Sequence, residues 1–205
     1  MPGPAYRITT PRLVLRCWQP DDAAILKEAV DSSIDHLLPW MPWAADEPQT
    51  LEQKVEQLRG FRSRFDSGED FIYGILEPGE QRALGGTGLH TRSDAGSREI
   101  GYWIRADAEG AGIASEATRA LTRVAFEVDG VDRVEIHCDP ENVRSARVAE
   151  RAGFRHEATL RRRLPHPGGG LRDCMIWTLF ATEYPDSPCA RAELDAFDVQ
   201  GQRLL

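Results

Sequence analysis

The chain has 205 residues, 41% of them hydrophobic and 28% charged, and a formal net charge of −8, which fits a single globular domain with embellishments. The acidic balance argues against a general nucleic-acid binder and is compatible with a cationic substrate. No apolar run approaches the roughly 20 residues that span a bilayer, and the stretch Met1 to Ala5 lacks the basic and apolar regions of a signal peptide, so the expected location is cytoplasmic, with no membrane partner. Cys17, Cys138, Cys174 and Cys189 lie far apart without a C-x-x-C pair, so neither a disulfide framework nor a zinc site is expected.

From Arg7 to Trp18 a loose lead-in gives way to alternation that puts Leu13, Leu15 and Cys17 on one face of a strand. Pro20, Asp21 and Asp22 suit the first turn of a helix running to about Val30. The stretch Asp35 to Trp43 carries two prolines and two tryptophans, which predicts a rigid aromatic loop rather than a regular element. It reads as a hydrophobic cap and, through Trp40 and Trp43, as one wall of a substrate cleft. A second helix is predicted from Leu51 to Phe65, opened by Gln49-Thr50 and stopped by Ser67-Gly68, with Val55, Leu58, Phe61, Arg62 and Phe65 as its inner stripe. Strands at Asp70 to Leu76 and Arg82 to His90 flank a Pro78-Gly79 turn. The loop Ser93 to Gly96 then turns the chain into a third antiparallel strand, Glu99 to Ile104.

Next comes Glu109-Gly110-Ala111-Gly112-Ile113-Ala114-Ser115-Glu116. Behind it Ala117, Ala120, Leu121, Val124, Ala125 and Val128 recur at spacings of three and four, the mark of one buried helical face. A glycine-rich turn between strand and helix can lay several backbone N–H groups against an anion; without a ligand it is an ordinary tight turn. Asp129-Gly130 ends the helix. Arg133 to Cys138 alternates, with Val134, Ile136 and Cys138 on one face, and Cys17, Cys138 and Cys174 read as reduced core thiols. A short helix follows Asn142 and is capped by Gly153. Strands from Phe154 to Leu164 and Leu171 to Phe180 form a hairpin around His166 to Gly170. From Glu183 the periodicity fades, so residues 183–205 are expected as a loosely attached tail on a domain of residues 1–182. The order of elements predicts an α/β fold. Its mixed central sheet is mostly antiparallel and flanked by helices, with one parallel, crossover-linked pair between Glu99–Ile104 and Arg133–Cys138.

Two segments carry a more specific signal: Glu99 to Ile104 with Glu109 to Ala117, and Asn142 to Phe154. Their patterns, E-I-G-Y-W with G-x-G-x-A-(S/T)-E-A, then N-x-x-S and a helix ending in G-F, resemble the GCN5-related N-acetyltransferase (GNAT) superfamily. Within it they are similar to the RimJ/RimL branch, which acetylates N-terminal α-amines of ribosomal proteins. Thr9 to Arg16 and Leu38 to Trp43 add to the likeness, which covers Arg7 to Thr182.

The resemblance implies a mixed sheet with a splayed parallel pair, and direct transfer of an acetyl group from acetyl-CoA to a primary amine without a metal. The pyrophosphate would lie on the backbone of Gly110, Ala111, Gly112, Ile113, Ala114 and Ser115. Glu109 belongs to the same cofactor-binding turn but stands where the family often has Gln or Arg, so its side chain is expected in solvent. Pantetheine would pair with exposed backbone at Trp103 and Ile104. Asn142, also a good N-cap, would contact the cofactor, and Ser145 would protonate the departing thiolate. Where the RimL-like pattern has a glutamate, this chain has Leu164. Glu99 is the first substitute as general base, and His90, at a strand end of the cleft, is the second; Glu157, Asp173 and Glu116 follow. The acceptor could be a protein N-terminus, a small amine or an antibiotic. The Leu164 departure also raises a non-catalytic acyl-CoA sensor, and family analogy adds homodimerisation.

Overall fold

The computed structural model describes residues 4–92, 96–166 and 168–205. Met1, Pro2 and Gly3, the turn expected at Ser93, Asp94 and Ala95, and Pro167 of the hairpin tip lie outside the described residues. The chain runs through β1 (Arg7–Thr9), β2 (Val14–Cys17), α1 (Ala23–Asp31), α2 (Ile34–Leu37), α3 (Leu51–Asp66), β3 (Asp70–Leu76), β4 (Ala83–His90) and β5 (Ser97–Ile104). It continues with α4 (Ile113–Val124), β6 (Arg133–Cys138), α5 (Val143–Arg151), β7 (Arg155–Pro165), β8 (Leu171–Phe180) and β9 (Asp195–Phe197). The strands form a nine-stranded sheet in the order β7-β8-β6-β5-β4-β3-β2-β1-β9. Neighbours are antiparallel except for β5 and β6.

That parallel pair is short. Ser97 pairs with Arg133, Arg98 with Val134 and Glu99 with Glu135, and there the ladder ends. Beyond it β5 stays on β4 as far as Ile104, opposite Gly85, while β6 stays on β8 as far as Cys138. Each strand is held by its outer neighbour, so the two diverge and open a cleft in the middle of the sheet. α4 makes the crossover between them and buries Ala117, Ala120, Leu121 and Val124, the stripe that its periodicity predicts.

Strand alternation sorts the core onto the two faces. Leu13, Leu15 and Cys17 of the first strand region join Phe71, Tyr73, Ile100, Val134 and the α4 stripe in one cluster. Val14, Trp18, Leu26, Leu58 and Leu76 form the other, beneath α1 and α3. The Trp18 ring lies against Gly74, where an added Cβ would stand 3.0 Å from it.

Three expectations are corrected. The aromatic loop contains a helical turn, α2, and a 3₁₀ turn at Pro42–Asp46; Pro39 and Pro42 separate the two because neither has an N–H to continue a helix. On α3 the deeply buried polar residue is Lys54, 1% exposed and paired with the equally buried Glu47, whereas Arg62 is half exposed on Asp66. A lysine long enough to reach a carboxylate across a wall carries no apolar periodicity. The segment after Glu183 is not loose: β9 pairs with β1, Cys189 and Ala196 are fully buried, and Tyr6 donates its backbone N–H to the Phe197 carbonyl at 2.8 Å. Its anchors are single small residues between prolines and turns, so no repeat announces them.

α3 itself starts on a reciprocal cap, Thr50 accepting from the Gln53 N–H and Gln53 from the Thr50 N–H. Lys54 lies just inside that cap, and its bond to Glu47 fixes the end of the segment that carries Trp43. Breaking one side of a buried ion pair leaves an uncompensated charge. Lys54→Met is therefore expected to cost about 3–5 kcal/mol in equilibrium urea unfolding, with Glu47→Gln in the same chain recovering most of it. A loss below about 1 kcal/mol would show a solvated pair instead.

Candidate active site

A cleft of about 1070 Å³ fills the gap between the diverging strands. Its two mouths differ chemically because β5 alternates. Ile100, Tyr102 and Ile104 face the α4 side with Val134 and Ile136. Glu99 and Trp103 face the opposite side, where Trp43 packs edge-on against Trp103 with ring centroids 5.9 Å apart.

On the α4 side the glycine-rich turn opens the crossover helix. Gly110 and Gly112 have φ of 73° and 78°, a region that costs a residue with a Cβ. Among the described residues, none of the backbone N–H groups from Gly110 to Ser115 donates to protein. Unpaired N–H groups converging at a helix start are a fit for a phosphate-bearing ligand. The turn is braced from outside. Glu116, in the first turn of α4, accepts from the Thr10 hydroxyl at 2.6 Å and the Arg12 Nε at 2.7 Å, which removes it from the list of bases. Arg12 also donates to the Ala111 carbonyl at 2.9 Å; the cleft lining includes Gly110, Gly112, Ile113, Ala114 and Ser115 but not Ala111.

Glu109 does not extend into solvent as expected. It accepts from Arg144 Nη1 of α5 at 2.6 Å and has His36 Nε2 at 3.3 Å. The Arg144 guanidinium offsets the Glu109 charge beside the glycine-rich turn.

α5 opens on Asn142, whose Oδ1 accepts the Ser145 N–H at 3.1 Å; its capping role is therefore real. Ser145 Oγ lies 2.9 Å from the Tyr102 hydroxyl, a contact that ties β5 to α5 across the cleft. Burial pushes the Tyr102 phenol well above its ordinary value, against the smaller opposing effect of its bond to Ser145. It stays protonated and can donate to Ser145, freeing the serine proton for another acceptor. Sequence reasoning passed over Tyr102 because a tyrosine on an alternating strand reads as core.

On the opposite side Glu99 lines the cleft, and its Oε2 lies 3.3 Å from His137 Nδ1. His90 lines it too. Its Nδ1 donates to Asp70 Oδ1 at 2.7 Å, and its ring lies over Gly88 and Gly101, where an added Cβ would stand 2.7 and 3.3 Å away. Burial alone would raise Asp70, but the bond from His90 and nearby positive charge outweigh it and hold the carboxyl below its ordinary value. Leu164 is in the cleft wall and has no group to take a proton. Glu157 accepts from the Thr178 hydroxyl at 2.5 Å and Asp173 from the Arg162 N–H at 2.9 Å; neither lines the cleft.

Trp40 and Trp43 do line it, and their segment is tied across the opening by Arg172. Arg172 Nη1 and Nη2 donate to the carbonyls of Pro39 and Trp40 at 2.7 and 3.0 Å, while Nη1 lies 3.0 Å from Asp139 Oδ2. Asp70, Glu135, His137 and Arg172 all escaped the sequence reading. They meet through cross-strand register and a long loop contact, neither of which leaves a motif.

Comparison with known proteins agrees with this geometry. Residues 12–155 match the family described as "Acetyltransferase (GNAT) domain". A probable N-acetyltransferase, YjcK, of Bacillus subtilis is 30% identical over 120 residues, 58% of this chain and 66% of that protein's length. The ribosomal protein uS5-alanine N-acetyltransferase of Escherichia coli is 28% identical over 157 residues, 75% of this chain and 80% of that one. Among solved structures, RimJ of Mycobacterium smegmatis in complex with CoA-disulfide superposes with a TM-score of 0.76 at 26% identity, covering 91% of both chains. The split sheet, the glycine-rich turn before the crossover helix and the family match over most of the chain make it a member of the GNAT acetyltransferase family.

Proposed function

We propose that this acetyltransferase moves an acetyl group from acetyl-CoA to the α-amine at a protein N-terminus. The observation that carries the reading is the split sheet itself. A cradle of unpaired N–H groups serves one mouth, ionisable side chains serve the other, and the cleft between β5 and β6 joins them. Relatives support the acceptor class: the E. coli protein is named for an alanine of a ribosomal protein, and a B. subtilis relative, 28% identical over 84% of this chain, is named a putative ribosomal N-acetyltransferase.

Acetyl-CoA supplies an activated acyl group on a thiolate leaving group. In the proposed roles, the N–H groups of Gly110 to Ser115 hold the pyrophosphate, with Arg12 and Arg144 nearby to balance its charge. Exposed backbone at Trp103 and Ile104 pairs with pantetheine as an added strand would, and Asn142 contributes its side-chain amide. Ser145, held by the Tyr102 hydroxyl, donates to the sulfur as negative charge develops there, and the proton the amine loses as the adduct collapses makes up the one the thiolate takes. Glu99 removes the proton that the attacking amine must lose. Trp40, Trp43 and His90 shape the wall against which the acceptor packs.

A panel of N-terminal peptides, polyamines and amine antibiotics, followed by acetyl-CoA-dependent thiol release, tests the acceptor. Peptide α-amines are expected to turn over fastest. Release with small amines alone would make this a small-molecule acetyltransferase, and tight acetyl-CoA binding without release would make it a sensor.

Ser145→Ala is expected to lower kcat about 10–100-fold with little change in the KM for acetyl-CoA, and Tyr102→Phe to give a smaller loss of the same kind. Unchanged kcat in the serine variant would remove it from the chemistry. Glu99→Gln is expected to lower kcat by about 100-fold or more; equal turnover by wild type and this variant would assign the base elsewhere.

A further inference from the structure

Glu99 is one member of a row. Register places Asp70 opposite His90, His90 opposite Glu99 and Glu99 opposite Glu135. Ionisable residues from β3, β4, β5 and β6 thus stand side by side on the face away from α4, at the level where the parallel ladder ends. Like charges directly opposite each other on neighbouring strands repel. Between the two glutamates lies His137, with Nδ1 3.3 Å from Glu99 Oε2 and Nε2 2.8 Å from Glu135 Oε2. Glu135 is held in turn by Arg133 Nε at 2.7 Å.

The two carboxylates do not play equal parts. Burial works to raise Glu135, but the hydrogen bonds from Arg133 and His137 outweigh it and keep this carboxyl below its ordinary value. It is the fixed acceptor for Nε2–H. Nδ1 is then the nitrogen that faces Glu99, the carboxylate that lines the cleft. The residue opposite His137 on β8 is Ile176. Among the described residues the ring's ionisable contacts are therefore Glu99 from β5 and Glu135 from its own strand, with Arg133 behind. His90 is held by Asp70 in the same manner, yet it forms no ion pair with Glu99. The His137 side chain is 23% exposed, so it reaches water as well as the cleft carboxylate.

We propose that His137, oriented by Glu135, carries the acceptor's proton from Glu99 to solvent. The inference rests on the amine-acetylation reading. The N–H bond of the acceptor ammonium breaks, its electron pair stays on nitrogen, and the proton joins a Glu99 oxygen. It then passes to His137 Nδ1, while Nε2–H stays on Glu135 and that carboxylate balances the imidazolium. Release to water restores both groups; the amine's second proton, lost as the tetrahedral adduct collapses, balances the one the departing thiolate takes up, and nothing is oxidised or reduced. The 3.3 Å contact is long for a hydrogen bond and must tighten in the complex. His137 is a positioning and relay residue that acts through Glu99.

The test is the pH dependence of kcat, in which the free acceptor's own ionisation does not enter. His137→Gln is expected to lower kcat about 10–100-fold, leave the KM for acetyl-CoA unchanged and abolish the acidic limb assigned to an imidazole. Glu135→Gln is expected to move that limb to lower pH, because the imidazolium loses its counter-charge. In His137→Ala, added imidazole is expected to restore part of the lost rate. The acetyl-CoA KM of each variant reports that its fold and donor site survive. A wild-type enzyme that turns over, with an unchanged limb in His137→Gln and no imidazole rescue in His137→Ala, overturns the relay alone. Loss of the limb in His90→Gln rather than in His137→Gln does the same. A wild type that releases no thiol with any amine overturns the acetylation reading and the relay with it.

Discussion

The structure turns on a ladder that stops. Parallel pairing between β5 and β6 covers Ser97 to Glu99 and Arg133 to Glu135 and no more. Each strand continues only because an antiparallel neighbour holds its other edge. A sheet normally separates what lies on its two faces. Here the divergence makes a passage through it, and alternation along β5 assigns Tyr102 to one mouth and Glu99 to the other. The two faces of the sheet thus communicate at this one level.

Keeping such a gap open requires ties that do not close it. Tyr102 and Ser145 span it by one hydrogen bond on the α4 side. Arg172 spans it on the other, from β8 to the Pro39 and Trp40 carbonyls. Arg105 locks the far end of β5 to α1 through a two-point contact with Glu28 at 2.8 and 2.9 Å, the geometry that guanidinium groups favour. These are polar contacts at the ends of elements, whereas apolar packing fixes the elements themselves.

That division also explains what could be read from the chain. Residues 117–128 repeat as a helix must, Arg133 to Cys138 alternates as a strand must, and the elements fall close to those positions because burial imposes the period. The glycine-rich turn was legible because its two glycines mark backbone geometry that other residues avoid. Lys54, His137 and Arg172 were not, since each finds its partner through register or a loop crossing that no local window contains. Glu109 shows the intermediate case. Its departure from the family pattern was visible, but its partners, Arg144 and His36, come from elements distant in sequence. Leu164 lines the cleft wall, while the row of Asp70, His90, Glu99 and Glu135 exists only through cross-strand register.

Strand β4 spends two of its positions on empty space. An added Cβ on Gly86 would stand 2.6 Å from the Trp103 indole, and one on Gly88 would stand 2.7 Å from the His90 ring. This part of the cleft wall thus sets an aromatic ring directly against bare glycine backbone. Its shape can change in one direction easily and in the other hardly at all. A single methyl on either glycine pushes a ring toward the cleft and narrows it, while widening it requires losing the ring itself. Widening the cleft at this level therefore means replacing Trp103 or His90, with the glycines as the fixed template.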